Sequence, residues 1–159
     1  MKKVFHFEAP REHYTCDAAV VWCFDHRFDL SFRKFLKRAG GTHYDAIKIA
    51  GGAKVLVTPD RESDREFVLG QIRTSMRLHR THRVILMVHS DCGAYGGLDA
   101  FGRDTAAEAE HHGRELQIAA ANLKAAIPQL EVQGYFVDFD GIWDAEIAPT
   151  PKLQAETTP

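Results

Sequence analysis

The stretch that decides the fold is Arg83-Val84-Ile85-Leu86-Met87-Val88-His89-Ser90-Asp91-Cys92-Gly93-Ala94-Tyr95-Gly96-Gly97. Its apolar run, residues 84–88, is short and partly β-branched, the pattern of a strand buried on both faces as in a parallel sheet. The run stops at His89. A cysteine follows three positions on, then a glycine cluster. His-x-x-Cys on one tight turn at the carboxyl end of a buried strand aims an imidazole and a thiolate at one point. A borderline-soft cation such as zinc suits that pair. Two ligands do not complete a site, so the chain must supply another from elsewhere.

Working outward, the candidate lies far upstream in Val20-Val21-Trp22-Cys23-Phe24-Asp25-His26-Arg27. Here too an apolar strand, residues 18–22, ends in a cysteine, with a carboxylate and a guanidinium following at alternate positions. Only a fold can bring Cys23 to His89. A doubly wound sheet does so if strands 1 and 3 are neighbours, because the crevice between their carboxyl ends is then the topological switch point where such sheets bind ligands. Cys23, His89 and Cys92 would meet there. The alternation of strand and helix patterns gives the expected fold class: α/β, a central parallel sheet in the order 2-1-3-4 with helices on both faces and a possible antiparallel edge strand.

Three pieces, in order and each at a strand end, carry a resemblance: Cys23-Phe24-Asp25-His26-Arg27, Ala50-Gly51-Gly52 and His89-Ser90-Asp91-Cys92-Gly93. Together they resemble the β-class carbonic anhydrases over about residues 18–138. Each piece alone is weak: a lone Cys-x-Asp-x-Arg is usually a surface ion pair, and a lone His-x-x-Cys a core histidine and a buried thiol. The resemblance implies a zinc enzyme that hydrates carbon dioxide to bicarbonate, with Cys23, His89 and Cys92 as metal ligands and Asp25 and Arg27 as catalytic residues. It also implies a closed state in which the aspartate itself binds zinc, and a dimer or larger homo-oligomer with sites near subunit interfaces. The chain departs from the family's pattern at His26, where serine is usual, and at Lys48-Ile49, where arginine and asparagine are common.

The same roles follow from chemistry. Hydration near neutral pH needs an acidified water, which zinc provides by lowering a pKa of roughly 15.7 to about 7. A catalytic zinc takes three protein ligands and keeps one position open, the count that Cys23, His89 and Cys92 supply. Two thiolates neutralise the ion's charge and weaken it as a Lewis acid, so a neighbour must help orient the nucleophile. Asp25 can accept its hydrogen bond, and Arg27 can fix Asp25 by a bidentate pair. His26 reads as a proton relay or as a solvent-exposed bystander, the second slightly favoured. Two alternatives stand beside the leading reading: a zinc hydrolase of carbon disulfide or carbonyl sulfide on the same fold, and a non-catalytic zinc-binding protein.

Composition bounds the rest. The chain has 159 residues, 45% hydrophobic and 26% charged, which suits one domain with a full core, expected over residues 1–148. A net charge of −2 argues against a general nucleic-acid or anionic-membrane surface. No apolar run is long enough to span a bilayer, and Glu8, Arg11 and Glu12 interrupt any secretory pattern. Three cysteines are no disulfide framework, so a reduced, cytoplasmic setting is expected. The expected partner is a small molecule, with no nucleic acid and no membrane.

Along the chain, residues 4–7 read as a short edge strand or an arm onto a partner subunit, where the family resemblance implies a longer helical arm. Cys16 reads as a small buried or bystander thiol. A helix is expected over 30–38, capped by Ser31 or Asp29 and stopped by Gly40-Gly41. Strand 2 is expected over 44–49, with a close backbone approach at Gly51-Gly52, while 55–57 is ambiguous. Ser63-Asp64-Arg65-Glu66 reads as a capping box opening a helix that buries Val68, Ile72 and Met76. Its basic end, Arg77 to Arg83, reads as a solvated helix terminus rather than a nucleic-acid contact. A helix from Asp104 to about Ala126 should bury Leu116, Ala120, Leu123 and Ile127, while His111 and His112 should face solvent. Strand 4 over 132–138, a turn at Asp140-Gly141 and an antiparallel return over 142–147 follow. Residues 149–159 are expected to be a disordered tail.

Overall fold

The computed structural model of the chain describes residues 1–40 and 43–149. Four parallel strands, β1 (Ala18–Trp22), β2 (Tyr44–Lys48), β3 (Arg83–His89) and β4 (Glu131–Val137), lie in the order β2-β1-β3-β4. An antiparallel edge strand, β5 (Ile142–Asp144), pairs with β4. This is the expected order with the expected edge, and β1 and β3 are neighbours. Every residue of β1, and residues 84–89 of β3, are buried. That is why both strands read as unbroken apolar runs rather than alternating ones.

Side chains alternate across the sheet and build two cores. Ala19, Val21, Val84, Leu86 and Val88 point to one face, which is covered by α2 (Glu62–His79) and α3 (Thr105–Ala126) through Val68, Ile72, Leu116, Ala120 and Leu123. Ala18, Val20, Trp22, Ile85 and Met87 point to the other, under α1 (Asp29–Arg38), which contributes Phe32 and Leu36. Each fully buried aliphatic such as Ile85 or Leu86 contributes about 1.5–3 kcal/mol. The sheet therefore holds the ends of β1 and β3 rigidly side by side.

Beyond β2 the chain doubles back through Gly51 (φ 75°) and Gly52 (φ 55°) into a 3-10 turn, Gly52–Leu56, so the ambiguous stretch 55–57 is not a strand. A Cβ on Gly52 would lie 2.3 Å from the Met87 carbonyl oxygen and 3.1 Å from the Cys23 amide nitrogen. Only glycine permits that approach to both central strands. Gly52→Ala is expected to cost at least about 2–3 kcal/mol, lowering Tm by roughly 4–12 °C. Thermal unfolding checks this, and an unchanged Tm would show that the backbone gives way.

Several local expectations are corrected. Neither Ser31 nor Asp29 caps α1. Phe28 holds the N-cap position without a side-chain bond, and Asp29, inside the first turn, pairs with Arg33 and Lys48. The capping box at 63–66 does not form: α2 already starts at Glu62, so Ser63 sits inside the first turn. Asp104 does cap α3, accepting from the amides of Ala106 (2.9 Å) and Ala107 (3.1 Å). Residues 4–7 form no strand; Val4, Phe5 and Phe7 are exposed. The antiparallel return is three residues long instead of six. Gly41 of the expected helix stop, and the expected tail from 150 onward, lie outside the described residues. Among the described residues no helix is long and apolar enough to cross a membrane.

Candidate metal centre

Cys23 directly follows β1, His89 is the last residue of β3, and Cys92 opens the 3-10 turn Gly93–Tyr95. Because β1 and β3 are parallel neighbours, their carboxyl ends bring the three side chains together. One ligand atom from each lies within 4.8 Å of the others, and all three residues are at most 4% exposed. They line a cleft of about 480 Å³ with Phe24, Asp25, Ala50 and Ala94.

His89 Nδ1 lies 2.8 Å from the Ser90 carbonyl oxygen, and a carbonyl can only accept, so Nδ1 carries the proton. Nε2 is then an unprotonated lone pair, buried and without a hydrogen-bond partner. Its ring is wedged edge-on to Trp22 (5.6 Å) and against Phe28 (4.9 Å), which fixes its direction. The two thiols face each other. The Cys92 thiol, against the opposing effect of burial, and the backbone amides of Asp25 and Gly51 hold the Cys23 thiol well below its usual range. The Cys23 thiolate and burial push Cys92 up. Alone, the pair shares a proton; a divalent cation between the sulfurs would let both ionise. Two sulfurs and one orphaned imidazole nitrogen are donors that zinc accepts, so the residues fit that ion.

Beside them Arg27 grips Asp25 with its Nε (3.1 Å to each carboxylate oxygen), its Nη2 (2.7 Å) and its own backbone amide (2.9 Å). The same guanidinium reaches across to the loop after β3, donating to Asp91 Oδ2 (2.9 Å) and to the Asp91 carbonyl (3.0 Å). It also lies 5.6 and 5.5 Å from the ring centroids of Phe28 and Phe139, within cation–π range. Asp25 Oδ2 is 3.8 Å from His89 Nε2, so a fixed carboxylate borders the donor set.

The Arg27 hydrogen bonds hold the Asp25 carboxyl down to about 2 from its usual 3.8, against the opposing effect of burial. A depressed folded-state value means that this stabilisation is complete above the unfolded value and is lost as pH falls from about 4 toward 2. Asp25→Asn should therefore flatten the acid limb of the stability profile in that window and leave its slope above pH 5 unchanged. Urea midpoints measured from pH 2 to 6 check this.

The loop between His89 and Cys92 has a buried support that sequence reasoning missed. Glu108 of α3, 1% exposed, accepts from the Asp91 amide (2.7 Å) and the Ser90 hydroxyl, both between His89 and Cys92. Asp91 was likewise unassigned. It adopts φ 53° and accepts from the Leu98 amide (3.0 Å), tying the loop to the next turn. A signal for Glu108 existed: it stands one and two turns ahead of His112 and Leu116 on the buried stripe of α3.

His26 is exposed at the cleft rim. Lys48 pairs with Asp29 (2.6 Å) instead of entering the cleft. The basic end of α2 is a helix terminus in which His79 pairs with Asp45 (2.7 Å) and stacks on Tyr14. Cys16 is buried, and burial with the nearby Asp45 carboxylate pushes its thiol up to about 12. The solvent-facing reading of the histidine pair is wrong for His112, which is 0% exposed. It continues the Leu116 stripe, while His111 is half-buried.

Residues 13–147 match the protein family described as "Putative carbonic anhydrase". An uncharacterized protein of Rickettsia bellii is 26% identical over 148 residues, covering 89% of this chain and 90% of its own length. Among solved structures, β-carbonic anhydrase isoform I of Trichomonas vaginalis superposes with a TM-score of 0.58 at 13% identity, covering 88% of this chain and 87% of its own. A carbonic anhydrase from Streptococcus mutans does so with a TM-score of 0.57 at 20% identity, covering 89% and 88%. These two likenesses concern the fold.

Proposed function

The chain belongs to the Putative carbonic anhydrase family, and from that premise we propose that it reversibly hydrates carbon dioxide to bicarbonate with a zinc ion held by Cys23, His89 and Cys92. The observation that carries this reading is the meeting of three buried donors, one of them a partnerless imidazole nitrogen, beside an arginine-locked carboxylate. When bound, zinc supplies the Lewis acidity that brings a water's pKa from roughly 15.7 to about 7.

The chain's own residues do the rest. Cys23 and Cys92 would hold the ion as thiolates and His89 through Nε2, the three protein ligands a catalytic zinc takes. Asp25, held ionised by Arg27, can only accept a hydrogen bond. From the rim of the donor set it would accept a hydrogen bond from the attacking oxygen and so orient that oxygen's remaining lone pair. Arg27 in turn is held by Asp91 and the rings of Phe28 and Phe139, and so would hold Asp25 back from a bound ion. The apolar wall of Phe24, Ala50 and Ala94 accepts an uncharged linear molecule. The same reading takes the chain as a cytoplasmic homo-oligomer acting on this small substrate, without nucleic acid or membrane. It is supported by the three free thiols and by the exposed Val4, Phe5 and Phe7.

Stopped-flow measurement on zinc-loaded protein, with carbonyl sulfide and carbon disulfide run in parallel, is the test. The expected result is carbon dioxide hydration that scales with zinc content. Turnover of the sulfur compounds alone would transfer the site to that chemistry, and a zinc-loaded chain inert to all three substrates would sink the enzymatic reading.

A further inference from the structure

We infer that His111, His112 and Glu115 on α3 form a second cation site, which takes a divalent transition ion of zinc's class through two imidazole nitrogens and one carboxylate oxygen. One ligand atom from each of the three residues lies within 4.8 Å of the other two.

His112 is the strongest sign of a ligand. It is 0% exposed, and neither ring nitrogen has a hydrogen-bond partner. A buried imidazole without partners costs stability, and with Glu108 Oε1 as far as 3.9 Å from Nε2, an ion on the lone pair of one nitrogen would relieve part of that cost. Its ring is fixed by Tyr95 (4.5 Å, edge-on), by Phe136 (5.3 Å, stacked) and by Phe101 (5.7 Å). That apolar shell limits the access of competing water to the ring.

Glu115 is prepared in the same sense. Tyr95 donates its hydroxyl to Glu115 Oε2, which orients the carboxylate and leaves Oε1 directed at His111. His111 Nε2 and Glu115 Oε1 stand 3.9 Å apart, too far for a hydrogen bond. Two bonds of about 2.0–2.1 Å to one ion would span up to about 4.2 Å, and a tetrahedral ion would draw them to about 3.4 Å. His111, with 38% of its side chain exposed, is free to make that closure and gives the ion a way in. Histidine pairs with a carboxylate suit zinc and its neighbours, whereas calcium or magnesium would demand oxygen ligands. Among the described residues, the other three-donor cluster outside the cleft, Cys16, Asp45 and His79, is already paired internally through the 2.7 Å His79–Asp45 contact.

The test is metal stoichiometry on the full, tag-free chain after equilibrium dialysis against zinc, repeated with cobalt(II). Thiolate ligands produce an intense sulfur-to-cobalt charge-transfer band, and imidazole and carboxylate ligands do not. Wild type is expected to hold two ions. His111→Ala and Glu115→Gln should each weaken one of them at least about 100-fold, more than the loss of an outer hydrogen-bonded neighbour costs, and leave the charge-transfer band intact. Cys92→Ala should lose the band and keep the other ion. His112→Phe, which preserves ring packing, should match His111→Ala; if it fails to fold, the half-buried His111 variant decides alone. A wild type holding one ion that disappears in Cys92→Ala but persists in His111→Ala overturns the second site, as does a second ion that survives both His111→Ala and Glu115→Gln. One ion lost in His111→Ala but kept in Cys92→Ala would support this site and tell instead against the thiolate centre.

Discussion

Cys92→Ala is expected to lose the catalytic ion, with affinity and carbon dioxide turnover both falling by more than about 100-fold, above the 10–100-fold that loss of an outer neighbour costs. The remaining donors, one thiolate and one imidazole, fall short of the three that a catalytic zinc needs. The fold should survive, because Cys92 sits on a turn outside the sheet and its side chain is small. Elemental analysis beside circular dichroism checks both halves. A folded variant with full occupancy of the thiolate centre would refute the ligand set. Cys23→Ala should behave alike, whereas Cys16→Ala, at the opposite end of β1, should leave catalytic zinc untouched.

Arg27→Ala separates ion binding from positioning. It removes three side-chain donor contacts to Asp25 and both contacts to Asp91 while touching none of the three ligands. Freed, the Asp25 carboxylate, already 3.8 Å from His89 Nε2, can move into the open position of the site. Zinc should stay bound, and kcat and kcat/KM should both fall roughly 10–100-fold. Asp25→Ala should also be slow and metal-loaded, but for the opposite reason: the position is open and nothing orients the attacking oxygen. Near-normal turnover in either variant would dismiss the Asp25–Arg27 assignment. The double variant distinguishes the two mechanisms. If Arg27 acts only through Asp25, losing both residues costs no more than losing Asp25.

The architecture was legible because burial in a parallel sheet writes itself into consecutive residues. The apolar runs ending at Trp22 and Val88 each announced a strand with candidate ligands at its carboxyl end, and their adjacency was expected because Cys23 had to reach His89, which the pairing of β1 with β3 allows. Helix starts were less legible. Ser63 and Ser31 had capping chemistry, but each helix begins earlier, at Glu62 and Asp29, with no side-chain cap. Only Asp104, directly before its helix, behaved as local chemistry predicted.

By itself, then, the sequence marked the strands and the ligand-type residues at their ends, and requiring Cys23 to meet His89 gave the sheet order that the pairing of β1 with β3 realises. Tertiary structure alone decided the polar interior. Glu108 and His112 are charged or polar by type, and composition assigns such residues to the surface. They are buried because β3 ends beneath α3, where the Asp91 amide and the Ser90 hydroxyl require an acceptor and the aromatic rings of Tyr95, Phe101 and Phe136 close over the histidine. Arg27 was read as a partner of Asp25, but its second carboxylate comes from a loop 64 residues away. A hydrogen bond across that separation has no local signature. It exists because β1 and β3 pair in register and carry both loops to the same edge of the sheet.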